Sequence, residues 1–384
     1  MAKSKETFSV VFAGGGSGGH VYPTLAVIEA LRAKMGELNV PLKMTRMGPR
    51  DGYDALFQNQ GVGISSVMAG KIRRYASASN FIDAPKFGIA FIQALWKLFF
   101  IMPDVVFSKG GTGALPVVAA AAFYRIPIAI HESDAKPGLT NLFSARYAKR
   151  IFISFNAAAS YFAADKVLLT GTPVRAELFA SRTTKELAKE ALGFSSSNPL
   201  TLILGGSQGS QRVNDFILAN LNEMMKFTQV LHQTGIANLD EVKRLSRAAL
   251  IDDSYKNRYQ AVGYFQDNMG LVLNAADLVI MRPGSTLAEI AAFGVPAILI
   301  PIAESANDHQ RVNAYEFAKT GGAIVIEEAN LLPGIFLTQL KNFFANGDLR
   351  AKMSEASAKF FIPGAAEKIV EELMVLSAGQ GIKS

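Results

Sequence analysis

A glycine-rich stretch that ends in a histidine follows an apolar run near the start of the chain. It reads "VVFAGGGSGGH" and occupies residues 10–20. Glycines between a strand and a helix let the backbone approach a ligand closely, and a helix start offers N–H groups to an anion. The spacing of Gly14, Gly16 and Gly19 also matches the G-x-G-x-x-G turn of dinucleotide-binding enzymes. The stretch therefore predicts a phosphate-binding loop, and several kinds of phosphate remain open.

Two more glycine loops occur further along the chain, "SKGGTGALP" at residues 108–116 and "LGGSQGSQRVN" at residues 204–214. A dinucleotide-binding enzyme needs an acidic residue about 20 positions after its first glycine loop, where the carboxylate binds ribose hydroxyls. Here that region reads "MTRMGPRDG", in which Asp51 comes late and beside Arg50. A nicotinamide cofactor would also leave the loop at residues 204–214 unexplained. The loops therefore favour two phosphorylated ligands that face each other.

Short apolar runs alternate with helical patterns along most of the chain. The runs are apolar on both faces and bounded by Gly, Pro or Asp, which is typical of buried parallel strands. They form two series, so the predicted fold class is α/β with two doubly wound parallel-sheet domains and a cleft between them. Predicted strands are 8–13, 41–47, 104–109, 126–132, 150–155, 200–206, 228–233, 277–281, 296–301 and 322–326. Predicted helices are 24–35, 84–101, 113–123, 139–148, 211–227, 267–274, 285–293, 308–320 and 365–376.

The length of 384 residues exceeds what one hydrophobic core usually supports, which also indicates two domains. We place the first domain at 1–174 and the second at 175–363, with a helix within 364–384 packing back on the first. Apolar residues make up 49% and charged residues 18% of the chain, which excludes a disordered or fibrous protein. There is no cysteine and no pattern of a signal peptide, so we expect a cytoplasmic location without disulfides.

Positive charge is concentrated in the first half of the chain. Residues 1–175 hold 20 Lys and Arg against 10 Asp and Glu, whereas residues 176–384 hold 19 against 22. This asymmetry predicts that the first half meets an anionic partner. The sequence shows no RRM, KH or helix-turn-helix pattern, so that partner is not expected to be nucleic acid.

One apolar segment carries an unusual number of aromatic residues. It reads "FGIAFIQALWKLFFIMPDVVF" from residue 87 and contains Trp96, the sole tryptophan. Gln93, Lys97 and Pro103 interrupt it before it reaches the about 18–20 apolar residues that span a bilayer. Basic residues precede or begin it: Lys71, Arg73, Arg74 and Lys86. This combination is typical of a helix lying on an anionic membrane surface, and a helix packed into the core is the alternative.

A polar constellation follows a predicted strand in the second half. In "RPGSTLAE", the hydroxyls of Ser285 and Thr286 at a predicted helix start suit a diphosphate, and Glu289 suits paired ribose hydroxyls. The Thr-x-x-Glu spacing fits a capping box equally well, which would be purely structural. The later stretch "ESANDHQRVNA" places polar side chains just after a strand, where ligands bind in such folds; they are Asp308, His309, Gln310 and Asn313.

The ordered set of motifs closely resembles the MurG family of peptidoglycan N-acetylglucosaminyltransferases, which are family 28 glycosyltransferases with two Rossmann-like domains (the GT-B fold). The resemblance runs from about Phe8 to Gly322 and rests on "GGGSGGHVYPTLA", "SKGGTGALPVVAA", "HESDAKPGLTN", "GTPVR", "GGSQGSQRVN", "RPGSTLAE" and "DHQRVNA". It implies inverting transfer of N-acetylglucosamine (GlcNAc) from UDP-GlcNAc to the 4-hydroxyl of N-acetylmuramic acid (MurNAc) in lipid I, the undecaprenyl-diphospho-MurNAc-pentapeptide. The implied product is lipid II, formed on the inner face of the cell membrane.

The resemblance also assigns roles to individual residues. Donor contacts to UDP-GlcNAc are implied for Arg175, Gly206, Ser207, Gln208, Tyr264, Phe265, Ser285, Thr286, Glu289 and Gln310. Among these, Thr286 would face the diphosphate, Glu289 the ribose and Gln310 the GlcNAc hydroxyls. Acceptor contacts in the first domain are implied for Gly15, Gly16, Ser17, Gly18, Gly19, Gly110, Gly111, Thr112 and Asn141. Membrane docking is expected at Lys71, Arg73, Arg74, Lys86 and Trp96.

Inverting transfer needs a base for the acceptor hydroxyl and positive potential for the departing UDP. His20 suits the base because imidazole titrates near neutral pH and a helix start disfavours its protonated form. Glu132 and Asp134 match family positions that face the reacting centre and compete for the role, and a mechanism without a single base stays open. The sequence contains no Asp-x-Asp pair, so we expect no cofactor and no catalytic metal.

The nearest alternative function is another GT-B UDP-sugar transferase acting on a different lipid, such as diacylglycerol. A UDP-GlcNAc 2-epimerase would share the fold but leave the basic apolar segment unexplained. A non-enzymatic nucleotide-sugar-binding protein would not need reactive groups on both sides of the cleft. The expected partners are UDP-GlcNAc, lipid I, an anionic membrane surface and other cell-wall synthesis and division proteins, with a peripheral location on the cytoplasmic side of the membrane.

Overall fold

The computed structural model describes residues 7–68, 79–111, 113–206, 209–250, 252–265, 268–302 and 308–378. The chain divides into two compact units, Met1–Arg175 with Ile362–Ser384, and Ala176–Phe361. The divisions lie one and two residues away from the predicted boundaries. As a result, Arg175 belongs to the first unit rather than the second.

The first unit is built on a parallel β-sheet. Its strands are β1 (Phe8–Gly15), β2 (Leu42–Gly48), β3 (Gly63–Ser66), β4 (Val105–Gly111), β5 (Ile128–Glu132), β6 (Arg150–Ile153) and β7 (Val167–Leu169). They lie in the order β3-β2-β1-β4-β5-β6-β7, and each neighbouring pair is parallel. Helices follow most strands: α1 (Gly18–Glu37), α2 (Asp54–Asn59), α3 (Ser79–Ile101), α4 (Ala114–Phe123) and α5 (Leu139–Ser144). The strand order reverses between β1 and β4, which is where doubly wound sheets bind ligands.

The second unit repeats this plan. Its strands are β8 (Leu200–Leu204), β9 (Gln229–Gln233), β10 (Tyr259–Val262), β11 (Leu278–Met281), β12 (Ala297–Leu299) and β13 (Ala323–Val325). They are parallel in the order β10-β9-β8-β11-β12-β13. The helices are α6 (Glu177–Ala180), α7 (Lys185–Ala191), α8 (Gln211–Ala219), α9 (Leu221–Met225), α10 (Leu239–Ala249), α11 (Met269–Ala275), α12 (Leu287–Ala292), α13 (His309–Ala318), α14 (Pro333–Ala345) and α15 (Gly347–Ala358). The reversal point here lies between β8 and β11.

The last helix, α16 (Ala365–Ala378), belongs to the first unit and packs against α1. Ile369, Val370 and Leu373 are at most 1% exposed and share a hydrophobic cluster with side chains of β1 and α1. An ion pair of 2.7 Å joins Glu372 Oε2 to Nε of Arg150 on β6. The helix therefore closes the core of the first unit. Among the described helices, none combines the length and the apolar character that crossing a membrane requires.

Candidate active site

The first unit brings two glycine loops together at the point where its strand order reverses. One loop joins β1 to α1 and the other joins β4 to α4. Along the two neighbouring strands, Gly14 pairs with Gly110 and Gly15 pairs with Gly111. Ligands of doubly wound sheets bind beyond the carboxyl ends of the strands at this position. The described glycines of the two predicted acceptor loops therefore lie side by side, where the fold favours a ligand.

Close backbone packing explains why these positions are glycine. Gly14 and Gly110 have φ angles of +113° and +83°, which residues with a side chain rarely adopt. A Cβ atom on Gly14 would overlap the carbonyl oxygen of Gly110. A Cβ atom on Gly111 would overlap the carbonyl oxygen of Gly15 and lie 3.3 Å from Nδ1 of His20. The same geometry places the imidazole directly against the second glycine loop.

His20 lies in the first turn of α1 and is half-buried. Its Nδ1 lies 2.8 Å from Oγ of Ser17. Ser17 is the N-cap residue of α1, but its side chain makes no capping hydrogen bond to the backbone. A serine at this position usually satisfies one of the first N–H groups of the helix. Here its hydroxyl orients the imidazole instead, beside a helix start that suits an anion.

A buried arginine supports the first glycine loop from behind, and the sequence analysis did not identify it. Arg46 on β2 is 1% exposed, and its Nη2 lies 2.6 Å from Oδ2 of Asp51. Its Nη1 pairs with Asp54. The same Asp51 oxygen accepts a hydrogen bond of 3.1 Å from the backbone N–H of Gly16. Arg46 therefore braces the loop through Asp51, whose contact with the Gly16 backbone differs from the ribose contact that a dinucleotide site would require.

Glu132 ends β5, and its carboxylate accepts hydrogen bonds from three N–H groups. Its Oε1 accepts from the backbone of Asp134 at 2.9 Å. Its Oε2 accepts from the backbone of Gly138 at 3.1 Å and from Nδ2 of Asn141 at 2.9 Å. Asn141 is buried and packs against Gly110. A Cβ atom on Gly110 would lie only 2.8 Å from Oδ1 of Asn141. Glu132 thus holds the segment 132–141 together, and Asn141 places this segment against the second glycine loop.

Burial changes the protonation of the groups behind these loops. Burial raises the pKa of Glu132, and the neighbouring Asp134 raises it further. Burial lowers the pKa of Lys109 on β4, while Glu132 and Asp134 act in the opposite direction. Burial and then Lys109 lower the pKa of His131, whose Nε2 lies 2.9 Å from the carbonyl oxygen of Gly171. Lys109 is therefore a buried cation of the site that the sequence analysis missed.

Arg175 lies in the first unit, although we predicted it at the start of the second. It is 8% exposed, and its guanidinium carbon lies 4.3 Å from the ring centroid of Tyr22 on α1. This is the geometry of a cation–π contact. The contact holds Arg175 beside the helix that carries His20, and its role toward UDP-GlcNAc stays a prediction.

The second unit joins its glycine loop to the end of β10 through one glutamine side chain. Nε2 of Gln233 donates to the carbonyl oxygen of Gly206 at 3.1 Å. Its Oε1 accepts from the backbone N–H of Phe265 at 3.1 Å. Gln233 therefore connects two predicted donor residues, Gly206 and Phe265. The sequence analysis missed Gln233 because it lies at the end of an apolar strand.

Arg282 ties the same glycine loop to the strands on its other side. Its Nη2 donates to Oγ of Ser210 at 3.1 Å and pairs with Oε1 of Glu328 at 2.9 Å. Its Nη1 donates to the carbonyl oxygen of Ile300 at 2.9 Å. Burial raises the pKa of Glu328, but Arg282 and Arg212 outweigh burial and hold that pKa below its usual range. The motif "RPGST" therefore begins with a residue that positions the loops around it.

The remaining donor candidates follow β11 and β12, which are neighbouring strands. Thr286 is the N-cap residue of α12, but its side chain makes no capping hydrogen bond. The spacing of Thr286 and Glu289 also allowed a capping box, but the Thr286 hydroxyl does not form one. Ser285, Thr286 and Glu289 are half-buried. Gln310 on α13 is half-buried too, and its Oε1 accepts from the backbone of Ile302 at 3.2 Å.

Some of the predicted site residues lie outside the described part of the chain. In the first unit they are Lys71, Arg73, Arg74 and Thr112, and in the second unit they are Ser207 and Gln208. Gly15, Gly16, Ser17, Gly18 and Gly19 are described and lie in the first glycine loop or at the start of α1.

Helix α3 presents a continuous apolar face to solvent. On its inner face, Ala90, Ala94 and Leu98 are fully buried, whereas Trp96 on its outer face is 68% exposed. Lys86 is exposed near the start of this face. The other exposed apolar residues on or next to it are Ile89, Ile92, Phe99, Phe100, Met102 and Phe123. The core-packing alternative therefore holds for one face of α3 only, and the exposed patch indicates a binding surface.

Comparison with known proteins identifies the family to which the chain is similar. The glycosyltransferase family 28 N-terminal domain matches residues 10–153, and the family 28 C-terminal domain matches residues 200–369. A Clostridium kluyveri protein is 33% identical over 368 residues, covering 94% of this chain and 97% of the relative. It is named UDP-N-acetylglucosamine–N-acetylmuramyl-(pentapeptide) pyrophosphoryl-undecaprenol N-acetylglucosamine transferase. A protein of the same name from Ruminiclostridium cellulolyticum is 35% identical over 364 residues, with the same coverage of both chains.

A solved structure confirms the predicted fold class. The crystal structure of Acinetobacter baumannii MurG superimposes with a TM-score of 0.72 at 24% identity, covering 96% of this chain and 99% of that one. The chain is therefore α/β with the GT-B fold. Since the sequence similarity extends over nearly the full length of both relatives, the chain belongs to the UDP-N-acetylglucosamine–N-acetylmuramyl-(pentapeptide) pyrophosphoryl-undecaprenol N-acetylglucosamine transferases of glycosyltransferase family 28.

Proposed function

We propose that this protein transfers GlcNAc from UDP-GlcNAc to the 4-hydroxyl of MurNAc in lipid I and so produces lipid II. The observation that carries the proposal is the full-length similarity to transferases of that name, at 33% and 35% identity. The site geometry supports it, because each unit carries a glycine loop at the carboxyl end of its sheet. Two such loops suit the two diphosphate-bearing substrates of this reaction.

The proposed reaction is a single displacement in which the acceptor oxygen bonds to C1 of GlcNAc. The bond from C1 to the UDP oxygen breaks, UDP leaves with the electron pair, and the configuration at C1 inverts. The proton of the acceptor hydroxyl passes to a base. His20 is the base in this proposal, because Ser17 orients its ring next to both acceptor loops. Glu132 instead accepts three hydrogen bonds within its own loop, which suits an anchoring role.

On the donor side, we assign the diphosphate to the loop at Gly206 and to the hydroxyls of Ser285 and Thr286. Glu289 is assigned to the ribose, and Gln310 to the sugar hydroxyls. The hydrogen bonds of Gln233 and Arg282 support this assignment, since they join the glycine loop to both neighbouring segments. Backbone N–H groups and fixed dipoles at such positions stabilise a departing diphosphate without reorganisation.

A transfer assay tests the proposal directly. Purified protein with UDP-GlcNAc and a short-chain lipid I analogue should yield a product that gains one N-acetylhexosamine by mass spectrometry. UDP-Gal and UDP-Glc, run as matched donors, should yield little product. If diacylglycerol were glycosylated and the lipid I analogue were not, the alternative of a different lipid acceptor would replace the proposal.

The transfer is expected to proceed without a divalent cation. Within the described ranges, no three His, Asp or Glu side chains group so as to hold a metal ion. In this proposal, the leaving UDP is stabilised by backbone N–H groups of the loop at Gly206 and by the hydroxyls of Ser285 and Thr286. Activity in the same assay should therefore stay within about twofold when EDTA replaces added Mg²⁺. Complete loss in EDTA, restored by Mg²⁺, would contradict this expectation.

We also propose that the outer face of α3 docks on an anionic membrane, on the cytoplasmic side where lipid I is presented. Trp96 and Phe100 pack edge to face, with ring centroids 5.1 Å apart, and both are more than half exposed. Amphipathic helices with aromatic residues and flanking basic residues bind such surfaces. The basic first half of the chain supplies the complementary charge.

Removal of the two rings is expected to weaken membrane binding. A Trp96→Ser/Phe100→Ser variant should lose at least about tenfold in its affinity for vesicles of phosphatidylglycerol and phosphatidylethanolamine, measured by flotation at low salt. Val375→Ser is the matched control, because Val375 is 64% exposed on α16, away from this face. Equal retention of the double variant and the control would refute the assignment of α3.

A further inference from the structure

A buried histidine lies behind the glycine loop of the second unit, and the sequence analysis assigned it no role. His232 on β9 is fully buried, as is Asn214 on α8. Its Nδ1 lies 2.9 Å from the hydroxyl oxygen of Tyr259, and its Nε2 lies 3.0 Å from Oδ1 of Asn214. Both ring nitrogens therefore have partners within the unit, which leaves neither of them to act as a base.

The contact with Asn214 leads to the glycine loop. Nδ2 of Asn214 donates to the carbonyl oxygen of Thr234 at 3.0 Å, and Nδ2 of Asn238 donates to the same oxygen at 3.0 Å. Gly209 of the glycine loop packs directly on this oxygen. A Cβ atom on Gly209 would overlap it. The carbonyl group of Thr234 thus links the two side-chain amides to the loop.

The partners fix the direction of each hydrogen bond from Tyr259 to Thr234. A carbonyl oxygen only accepts, so Asn214 must turn Nδ2 toward Thr234 and Oδ1 toward His232. Because Oδ1 also only accepts, Nε2 of His232 carries the hydrogen. Nδ1 then lacks a hydrogen and accepts from the hydroxyl of Tyr259. Burial lowers the pKa of His232 to about 3, which agrees with a neutral ring.

The next residue of β9 supports another part of the same loop. Successive side chains of a strand point to opposite faces of the sheet, so Gln233 and His232 reach the loop from different sides. Gln233 donates to the carbonyl oxygen of Gly206 at 3.1 Å. His232 acts through Asn214 and supports Gly209. The end of β9 therefore holds the loop on both sides of its described part.

We propose that His232 is a positioning residue for the donor site. Its Nε2–H orients the amide of Asn214, this amide holds the carbonyl group of Thr234, and that carbonyl group sets the position of Gly209. Backbone N–H groups bind a diphosphate well only when the loop keeps their geometry. The chain of hydrogen bonds stands on these distances. That the loop receives UDP rests on the proposed function.

Titration calorimetry of the full-length protein with UDP tests the proposal. His232→Asn keeps an acceptor for the hydroxyl of Tyr259, but its side chain is too short to reach Asn214. We expect a loss of UDP affinity of at least about tenfold. His232→Gln places an amide N–H near the position of Nε2 and so keeps a donor for Asn214. Its UDP affinity should stay within about threefold of the wild type.

Thr201→Val is the matched control for a loss of stability alone. Oγ1 of Thr201 lies 2.9 Å from Oγ1 of Thr228, and both residues are at most 2% exposed at the amino ends of β8 and β9. This variant also loses a buried hydrogen bond, so its melting temperature should fall while its UDP affinity stays within about twofold. Wild-type UDP affinity in His232→Asn, or an equal loss of affinity in Thr201→Val, would overturn the proposal.

Asn214→Ala carries the test if His232→Asn fails to fold. It removes the amide that joins His232 to Thr234, at a position in α8 where alanine favours the helix. This variant should also lose UDP affinity by at least about tenfold. Wild-type UDP affinity in Asn214→Ala would refute the positioning role.

Steady-state kinetics separate this role from acceptor binding. In His232→Asn, KM for UDP-GlcNAc should rise by at least about tenfold, while KM for the lipid I analogue should not change. An equal rise of both KM values would refute an effect confined to the donor loop. If the wild type binds UDP but makes no lipid II, and His232→Asn still weakens UDP binding, the proposed function fails and the positioning role stands. If the wild type binds no UDP, both fail.

Discussion

A His20→Ala variant is expected to lose at least about 100-fold in kcat, because a positioned general base contributes about 10²–10⁴-fold. Its affinity for UDP-GlcNAc should stay within about twofold, since all the predicted donor residues except Arg175 lie in the other unit. The imidazole is held by Oγ of Ser17 at 2.8 Å and lies against Gly111. When Nδ1 donates to Ser17, Nε2 becomes the basic nitrogen. Steady-state kinetics with the lipid I analogue and titration with UDP-GlcNAc measure the two quantities.

Ser17→Ala is the matched control for this experiment. It keeps the imidazole but removes the hydroxyl that orients it, so kcat should fall by about tenfold and less than in His20→Ala. Near-full turnover in His20→Ala would exclude His20 as the base. The role would then pass to Glu132 or Asp134, or to no single side chain.

A Gly14→Ala variant is expected to destabilise the first unit by about 3 kcal/mol or more and to lose acceptor turnover. Gly14 has φ +113°, a conformation that costs about 1–3 kcal/mol for a residue with a side chain. The added Cβ atom would also overlap the carbonyl oxygen of Gly110, so the two loops would have to separate. Thermal unfolding and kcat/KM for the lipid I analogue report the two effects.

Gly36→Ala provides the control for the glycine prediction. Gly36 lies in α1, and a Cβ atom there meets no other atom within 4 Å. Because alanine favours a helix over glycine by about 1 kcal/mol, this variant should be as stable as the wild type or slightly more so. If Gly14→Ala kept both the melting temperature and the turnover of the wild type, the close contact between the glycine loops would be wrong.

Apolar patterning predicted the long central strands and the two-sheet plan, because buried parallel strands must be apolar on both faces. The short strands β3, β7 and β10 escaped prediction, since each is three or four residues long and not fully buried. Helix α1 begins at Gly18 rather than at Thr24, so Pro23 lies inside it. Pro23 stands in the second turn, where its missing N–H removes a backbone hydrogen bond only near the start of the helix.

The residues of the site also fall into two groups, those that the sequence predicted and those that it did not. Ordered motifs predicted the glycine loops and the polar residues that follow the strands. Arg46, Lys109 and Gln233 were missed because each stands within or at the end of a predicted strand, where a single polar residue carries no local pattern. The contacts that matter join distant parts of the chain: Asp51, which pairs with Arg46, binds the backbone of Gly16, and Gln233 binds the backbone of Gly206. Such pairings depend on strand order, which the pattern of one strand does not contain.

The position of α16 has a consequence for how the chain folds as it is made. The core of the first unit includes Ile369, Val370 and Leu373 beside β1 and α1. The ribosome adds these residues only after the whole of Ala176–Phe361 has been synthesised. Domains usually fold in the order of their synthesis. In this chain the second unit can complete its folding before the first unit does. Until α16 is synthesised, the apolar surface of β1 and α1 that it covers stays exposed. The first unit is therefore the part that chaperones can bind for the longest time.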